Sequence, residues 1–145
     1  MKQKLAAVIG GNSVDQHLFD FAYRIGKLIA EHNCILVCGG LGGVMEAAAK
    51  GAFESDGITV GILPGFEKKE ANPYISIPIV TGISTARNVI IARTCDFAIA
   101  IDGKYGTLSE IAYCLDFGKT VLGYKTHNID KIVPIEKPED IIKYL

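Results

Sequence analysis

Apolar positions along the chain follow two alternating patterns. Short unbroken runs of four to six apolar residues suit buried strands, and longer stretches with apolar residues every third or fourth position suit helices packed by one face. Leu5 to Ile9 is the first run and ends at Gly10-Gly11-Asn12. Ser13-x-x-Gln16 then has the form of a capping box and predicts a helix start. On that helix Leu18, Phe21, Ala22, Ile25, Leu28 and Ile29 share one face. Ile35 to Cys38 predicts a second strand, and Val44 to Glu54 a second helix. Its Val44, Ala47, Ala48, Gly51 and Ala52 fall together, small enough for close packing on a sheet. Gly57 breaks that helix, and Ile58 to Leu63 predicts a third strand closed by Pro64-Gly65.

Glu67 to Pro73 is polar and turn-rich, which predicts an exposed loop able to act as a flap. Ile75 to Val80 reads as extended, and Pro78, which has no N–H to donate to a ladder, suits a sheet edge or a strand end better than a central strand. A helix is predicted over Ser84 to Thr94, a fully buried strand over Phe97 to Ile101, and a helix over Thr107 to Phe117. That last helix turns Leu108, Ile111, Ala112 and Leu115 inward and stops at Gly118. Val121 to Tyr124, a short strand at Ile132 to Ile135 and a closing helix at Pro138 to Tyr144 complete the chain. Strand and helix alternating in this way imply βαβ units with right-handed crossovers. The expected fold is therefore α/β: a Rossmann-like three-layer arrangement, mostly parallel, with helices on both faces. A length of 145 residues suits one domain spanning 1–145. Ligands of such folds sit outside the C-terminal strand ends, where strand order reverses.

Composition narrows the partner. Fifteen Lys and Arg against sixteen Asp and Glu leave a net charge of −1, so no broad field favours nucleic acid or an anionic membrane. No apolar stretch reaches the roughly 20 residues of a membrane span, and Leu5 to Ile9 is too short for a secretion signal. A cytoplasmic protein with a small anionic ligand is expected. Cys34, Cys38, Cys95 and Cys114 lack the paired spacing of a zinc site and sit in apolar segments, as buried reduced thiols do. No metal site is expected, and His17, His32 and His127 are scattered as surface or helix-cap residues.

The chemistry concentrates in two glycine turns that each follow an apolar run and open onto a helix. The first runs from Cys38 through Gly39, Gly40, Gly42 and Gly43 to Met45 and Glu46, and the second from Asp102 through Gly103, Lys104, Tyr105, Gly106 and Thr107 to Glu110. A glycine turn lets backbone approach a ligand closely, and the following helix offers unpaired N–H groups and a positive dipole end. The turns predict phosphate binding twice over. Neither is a Walker loop, and neither is a strict G-x-G-x-x-G. Gly11, Asn12 and Ser13 at the end of the first strand are candidates to touch a base or ribose, with a plain turn as the alternative. Both turns place a glutamate in the first helical turn. Thr107-x-x-Glu110 is itself a capping box, yet the same carboxylate is placed to stabilise an oxocarbenium-like sugar or orient water. Glu46 is a site residue or a solvated cap. Arg87 near a helix start opposes the dipole, which suits an anion ligand; a surface ion pair is the alternative. Lys104 either neutralises phosphate or blocks the space glycine would leave, and Thr107 either donates its hydroxyl to phosphate or caps the helix.

These residues resemble a known group, the Rossmann-like family of the cytokinin-activating phosphoribohydrolases (LOG proteins, often labelled lysine decarboxylase-like) and the molybdenum cofactor carrier proteins. Gly39-Gly40-Leu41-Gly42-Gly43-Val44-Met45 is similar to the family's first glycine signature. Tyr105-Gly106-Thr107-Leu108-Ser109-Glu110 is similar to the second half of its Pro-Gly-Gly-x-Gly-Thr-x-x-Glu motif, with Arg87 in the place of its arginine. Asp102 stands where the hydrolases have proline, Lys104 replaces the second glycine, and Asn88 replaces the lysine that usually follows the arginine. Arg87-Asn88, Gly43 to Ala48 and the short chain resemble the carrier-protein branch. The resemblance implies a binding or carrier protein for a phosphorylated small molecule, a nucleotide or the molybdenum cofactor, with no cofactor of its own required. Its alternative is a nucleoside 5′-monophosphate phosphoribohydrolase using Arg87 and Glu110. It also implies a homodimer or higher homo-oligomer, formed through the helices Ser84 to Thr94 and Thr107 to Phe117.

Overall fold

The computed structural model describes residues 2–145. Seven strands form one sheet in the order β4-β3-β2-β1-β5-β6-β7, and every neighbouring pair is parallel. The strands are β1 (Leu5–Gly10), β2 (Ile35–Cys38), β3 (Thr59–Leu63), β4 (Ile77–Val80), β5 (Phe97–Ile101), β6 (Thr120–Tyr124) and β7 (Val133–Pro134). The α-helices are α1 (Gln16–Glu31), α2 (Val44–Phe53), α3 (Arg87–Thr94) and α4 (Tyr105–Asp116), with 3-10 turns at Lys68–Glu70, Ser84–Ala86 and Pro138–Tyr144. The fold is the expected Rossmann-like α/β architecture. No helix among the described residues is long and apolar enough to cross a membrane.

Alternation within the central strands builds two cores. Ala6 and Val8 of β1 and Phe97, Ile99 and Ile101 of β5 face a cluster with Phe21, Ile25 and Ile29 of α1 and Val44, Ala47 and Ala48 of α2. Ala7, Ile9, Ala98 and Ala100 face the other way, onto Ile91 and Ala92 of α3 and Ile111 and Cys114 of α4. Two-sided burial explains why β5 reads as an unbroken apolar run. The small residues of α2 do more than approach the sheet. A Cβ on Gly51 would strike the carbonyl of Tyr23, and one on Gly26 that of Ala48, so α1 and α2 meet backbone to backbone. Pro78 lies on an edge strand as its chemistry requires.

Several boundaries differ from expectation. Asp15, not Ser13, caps α1, its carboxylate accepting from Leu18 N–H at 2.9 Å. A 3-10 turn occupies Ser84–Ala86, so Arg87 is the first α-helical residue of α3. Helix α4 begins at Tyr105, with Lys104 in the cap position and no side-chain cap. Thr107 and Glu110 therefore do not form a capping box, and Glu110 lies beyond the first turn. Ala112 is exposed, and Cys114 takes the inward position beside Ile111. The helix stops at Gly118 as expected, with φ +74 and Lys119 N–H donating to Cys114 C=O. Ile132 to Ile135 contributes only Val133–Pro134 to the sheet. All four cysteines are buried and reduced.

Candidate functional site

Strand order reverses about β1, because the chain builds β2, β3 and β4 on one side before crossing to β5 on the other. Divergent connections leave a crevice beyond the C-terminal ends of β1 and β5. It encloses about 420 Å³. The loop after β1 supplies Gly10 to Ser13, and the turn after β5 supplies Asp102, Lys104 and Gly106. Helix α4 adds Thr107 and Glu110, the start of α3 adds Arg87, and Leu41 and Met45 close the side toward α2.

The two glycine turns play different parts in this geometry. In the turn after β2, Gly42 N–H donates to Asn12 Oδ1 at 3.2 Å and Val44 N–H donates to Gly11 C=O at 2.9 Å. Gly43, at φ +62, has no room for a Cβ against Gly11 and Asn12. Gly39 and Gly40 are buried, and a Cβ on Gly39 would meet the Arg87 guanidinium and Met45 sulfur. Gly42 and Gly43 dock the start of α2 onto the β1 loop, Gly40 packs on Leu63 and Gly61 of β3, and none of the four glycines lines the crevice. Glu46 opens instead onto a neighbouring depression with Asn12, Leu41, Gly42, Glu70 and Asn72. The turn after β5 is open. No backbone or side-chain acceptor among the described residues takes the N–H groups of Tyr105, Gly106 or Thr107. Gly103 adopts φ +101 against the Thr107 side chain. Tyr105 is 87% exposed and points outside the crevice.

Arg87 and Glu110 are the buried charged side chains among the described residues, each 8% exposed. The guanidinium is held from behind: Nε–H donates to Ile62 C=O at 2.8 Å, one terminal nitrogen to Asn88 Oδ1, and the other to Gly39 C=O at 3.5 Å. Asn88 Nδ2 donates in turn to Ser109 Oγ at 3.0 Å, so Asn88 positions Arg87 against α4 from outside the crevice. Glu110 makes neither a hydrogen bond nor a direct ion pair among the described residues, although it lines the crevice beside Arg87. Burial pushes its carboxyl up to about 7, against the opposing pull of Arg87. Burial likewise lowers the Arg87 guanidinium below its ordinary value, and Glu110 raises it in part. Neighbouring Cys38 is pushed up to about 12, chiefly by burial, and stays a thiol.

Gly10, Leu41 and Asp102 line the crevice from the turns that the sequence points to, and Thr85, in the 3-10 turn before α3, is the lining residue outside them. Gly10 is required there because a Cβ would strike Ile101 C=O and the Val44 side chain. No cluster of potential metal ligands is present among the described residues.

A family model, that of the SLOG cluster4 family, matches residues 3–143. A protein of Archaeoglobus fulgidus is 44% identical, covering 99% of this chain and 95% of its own length. Among solved structures, the molybdenum cofactor binding protein of Rippkaea orientalis superposes with a TM-score of 0.93 at 31% identity, over 99% of this chain and 96% of that one. The molybdenum cofactor carrier protein of Chlamydomonas reinhardtii superposes with a TM-score of 0.89 at 29% identity, with the same coverage of 99% and 96%. The Rossmann-like grouping expected from the glycine motifs therefore holds, with these neighbours on its carrier-protein branch, and the chain belongs to the SLOG cluster4 family.

Proposed function

We propose that the crevice binds a phosphorylated small molecule as cargo, with the molybdenum cofactor, a phosphorylated pterin, as the favoured occupant. One observation carries this reading. Arg87, Lys104, Asp102 and Glu110 converge on one crevice without ion-pairing one another, beside a helix start whose first N–H groups have no partner among the described residues. Charges left unpaired around a pocket are stabilised by a ligand of complementary charge. The phosphate would sit on the α4 N-terminus, with the Lys104 ammonium beside it. Arg87, fixed by Ile62, Gly39 and Asn88, would present its remaining N–H donors from the opposite wall. The two carrier or binding proteins above lend this reading its choice of cargo. Anaerobic equilibrium binding of the released molybdenum cofactor tests it, and failure of that ligand and of nucleotides to bind or raise the Tm would refute it.

Glu110 favours one second reading, hydrolysis of a nucleoside 5′-monophosphate. A buried carboxyl titrating near 7 is suited to proton transfer at neutral pH. In that reaction water attacks C1′ as the N-glycosidic bond breaks, Glu110 takes the water proton, and the base leaves with a proton from solvent. The products are free base and ribose 5-phosphate. Release of base from a panel of monophosphates, abolished in Glu110→Gln, would establish turnover; intact substrates would leave the carrier reading alone.

Self-association belongs to the same proposal. Ile83, Ile90 and Tyr113 expose 47%, 37% and 39% of their surfaces on and beside α3 and α4, an apolar face suited to pairing with a second copy. A monomer at micromolar concentration by light scattering would contradict it.

A further inference from the structure

We infer that Asp102 is a specificity-determining residue of the crevice: its carboxylate accepts hydrogen bonds from a neutral donor group that the ligand carries beside its phosphate, a sugar diol or a ring amine. The inference rests on the phosphorylated-ligand reading above and extends it to what the ligand must carry besides phosphate.

Asp102 is held rigidly from both sides of its backbone. Its N–H donates to Tyr124 C=O at 3.1 Å, and its C=O accepts from Thr126 Oγ1 at 2.7 Å. Its backbone adopts φ +55, a left-handed conformation that L-residues rarely take and that Asn and Asp tolerate best. Such geometry, fixed by the β6 end and the following loop, directs the side chain over Gly11. The space a Cβ would fill on Gly11 is occupied by Asp102 Oδ2. Despite this placement the carboxylate has no hydrogen-bond or ion-pair partner among the described residues, not even Lys104 two positions on. It lines the crevice between the β1 loop and the open turn.

A carboxylate only accepts when ionised. Beside a phosphate it would repel, unless the same ligand offered it a donor. Asp102 therefore penalises bare phosphate and rewards a phosphate ester whose next few atoms carry O–H or N–H groups. Both a nucleotide and a phosphorylated pterin meet that description, the first through ribose hydroxyls and the second through ring amine and N–H groups.

The test compares Asp102→Asn with the wild type for three probes: the molybdenum cofactor (kept anaerobic), AMP, and inorganic phosphate. Asn is nearly isosteric and tolerates φ +55, so the fold is retained; Asp102→Gly, relaxed at that angle, is the second variant and removes the carboxylate altogether. Loss of a hydrogen bond to a charged acceptor predicts about tenfold or more weaker binding of the donor-bearing ligand in Asp102→Gly, and a smaller loss in Asp102→Asn, whose neutral amide oxygen still accepts. Inorganic phosphate binding stays equal or tightens. A loss seen with AMP but not with 2′,3′-dideoxy-AMP assigns the donor to the ribose, and a loss with the pterin cofactor assigns it to the ring. Equal changes for organic ligand and inorganic phosphate, or no change for either, would overturn the role of Asp102 while leaving the crevice reading intact. Absence of binding of every probe to the wild type would overturn both.

Discussion

The two glycine turns look alike in sequence and differ in what their backbone does. After β2, the Gly42 and Val44 N–H groups are already spent on Asn12 and Gly11, and Gly43 fits only because it lacks a Cβ. After β5, the first N–H groups of α4 have no partner among the described residues, Gly106 and Thr107 line the crevice, and a Cβ on Gly106 would meet nothing within 4 Å. A glycine turn before a helix thus signals close approach, and the approaching group can be another loop as readily as a phosphate. One turn builds the wall and the other is the candidate grip.

The largest effect that separates them is on stability. Gly43→Ala forces a left-handed alanine into the Gly11 and Asn12 backbone, and about 4 kcal/mol of unfolding free energy should be lost, summing strain and overpacking. Denaturant melts that left the midpoint unmoved would show that the first turn is open after all. Next is the buried carboxylate. Its pKa is raised from the ordinary 4.5 to about 7, so folding favours the protonated form. The stabilisation is complete below pH 4.5 and is lost as pH rises through 7. Glu110→Gln removes that dependence, and above pH 8 it should exceed the wild type by up to about 3 kcal/mol while matching it near pH 4. Parallel stability curves from pH 4 to 8.5 would contradict the burial argument.

Binding should respond at the second turn. Lys104→Ala is expected to weaken a phosphorylated ligand by about fivefold, roughly 1 kcal/mol, and to flatten the salt dependence of its affinity. Calorimetric titration at two ionic strengths measures both. Smallest in stability is Gly106→Ala, which gains about 0.5–1 kcal/mol from helix propensity, yet its methyl enters the crevice and should reduce affinity. A variant that is more stable and binds worse would mark the second turn as functional space.

Most of the architecture was legible because burial on two faces writes β1, β2 and β5 as continuous apolar runs, and small residues mark α2. What local pattern could not separate were competing caps. Ser13-x-x-Gln16 fits a capping box, but the Asp15 carboxylate two residues on is the acceptor that α1 uses. Thr107-x-x-Glu110 fits one too, yet the turn at Gly103 lets α4 start at Tyr105, which carries Glu110 into the buried second turn. That shift converts a supposed cap into an unpartnered crevice carboxylate. Thr85 owes its place to tertiary arrangement alone. Whether Gly39 to Gly43 faced a ligand or a neighbouring loop depended on where Asn12 lies, thirty residues away, and no local spacing encodes that.

Backbone amide chemical shifts, followed by NMR during titration with the molybdenum cofactor or AMP, test the distinction between the turns most directly. Binding as described here moves the amides of Gly103 to Leu108 and leaves those of Gly42 and Val44, already committed to Asn12 and Gly11, nearly still. Shifts concentrated at Gly39 to Val44, with the α4 start unmoved, would contradict it.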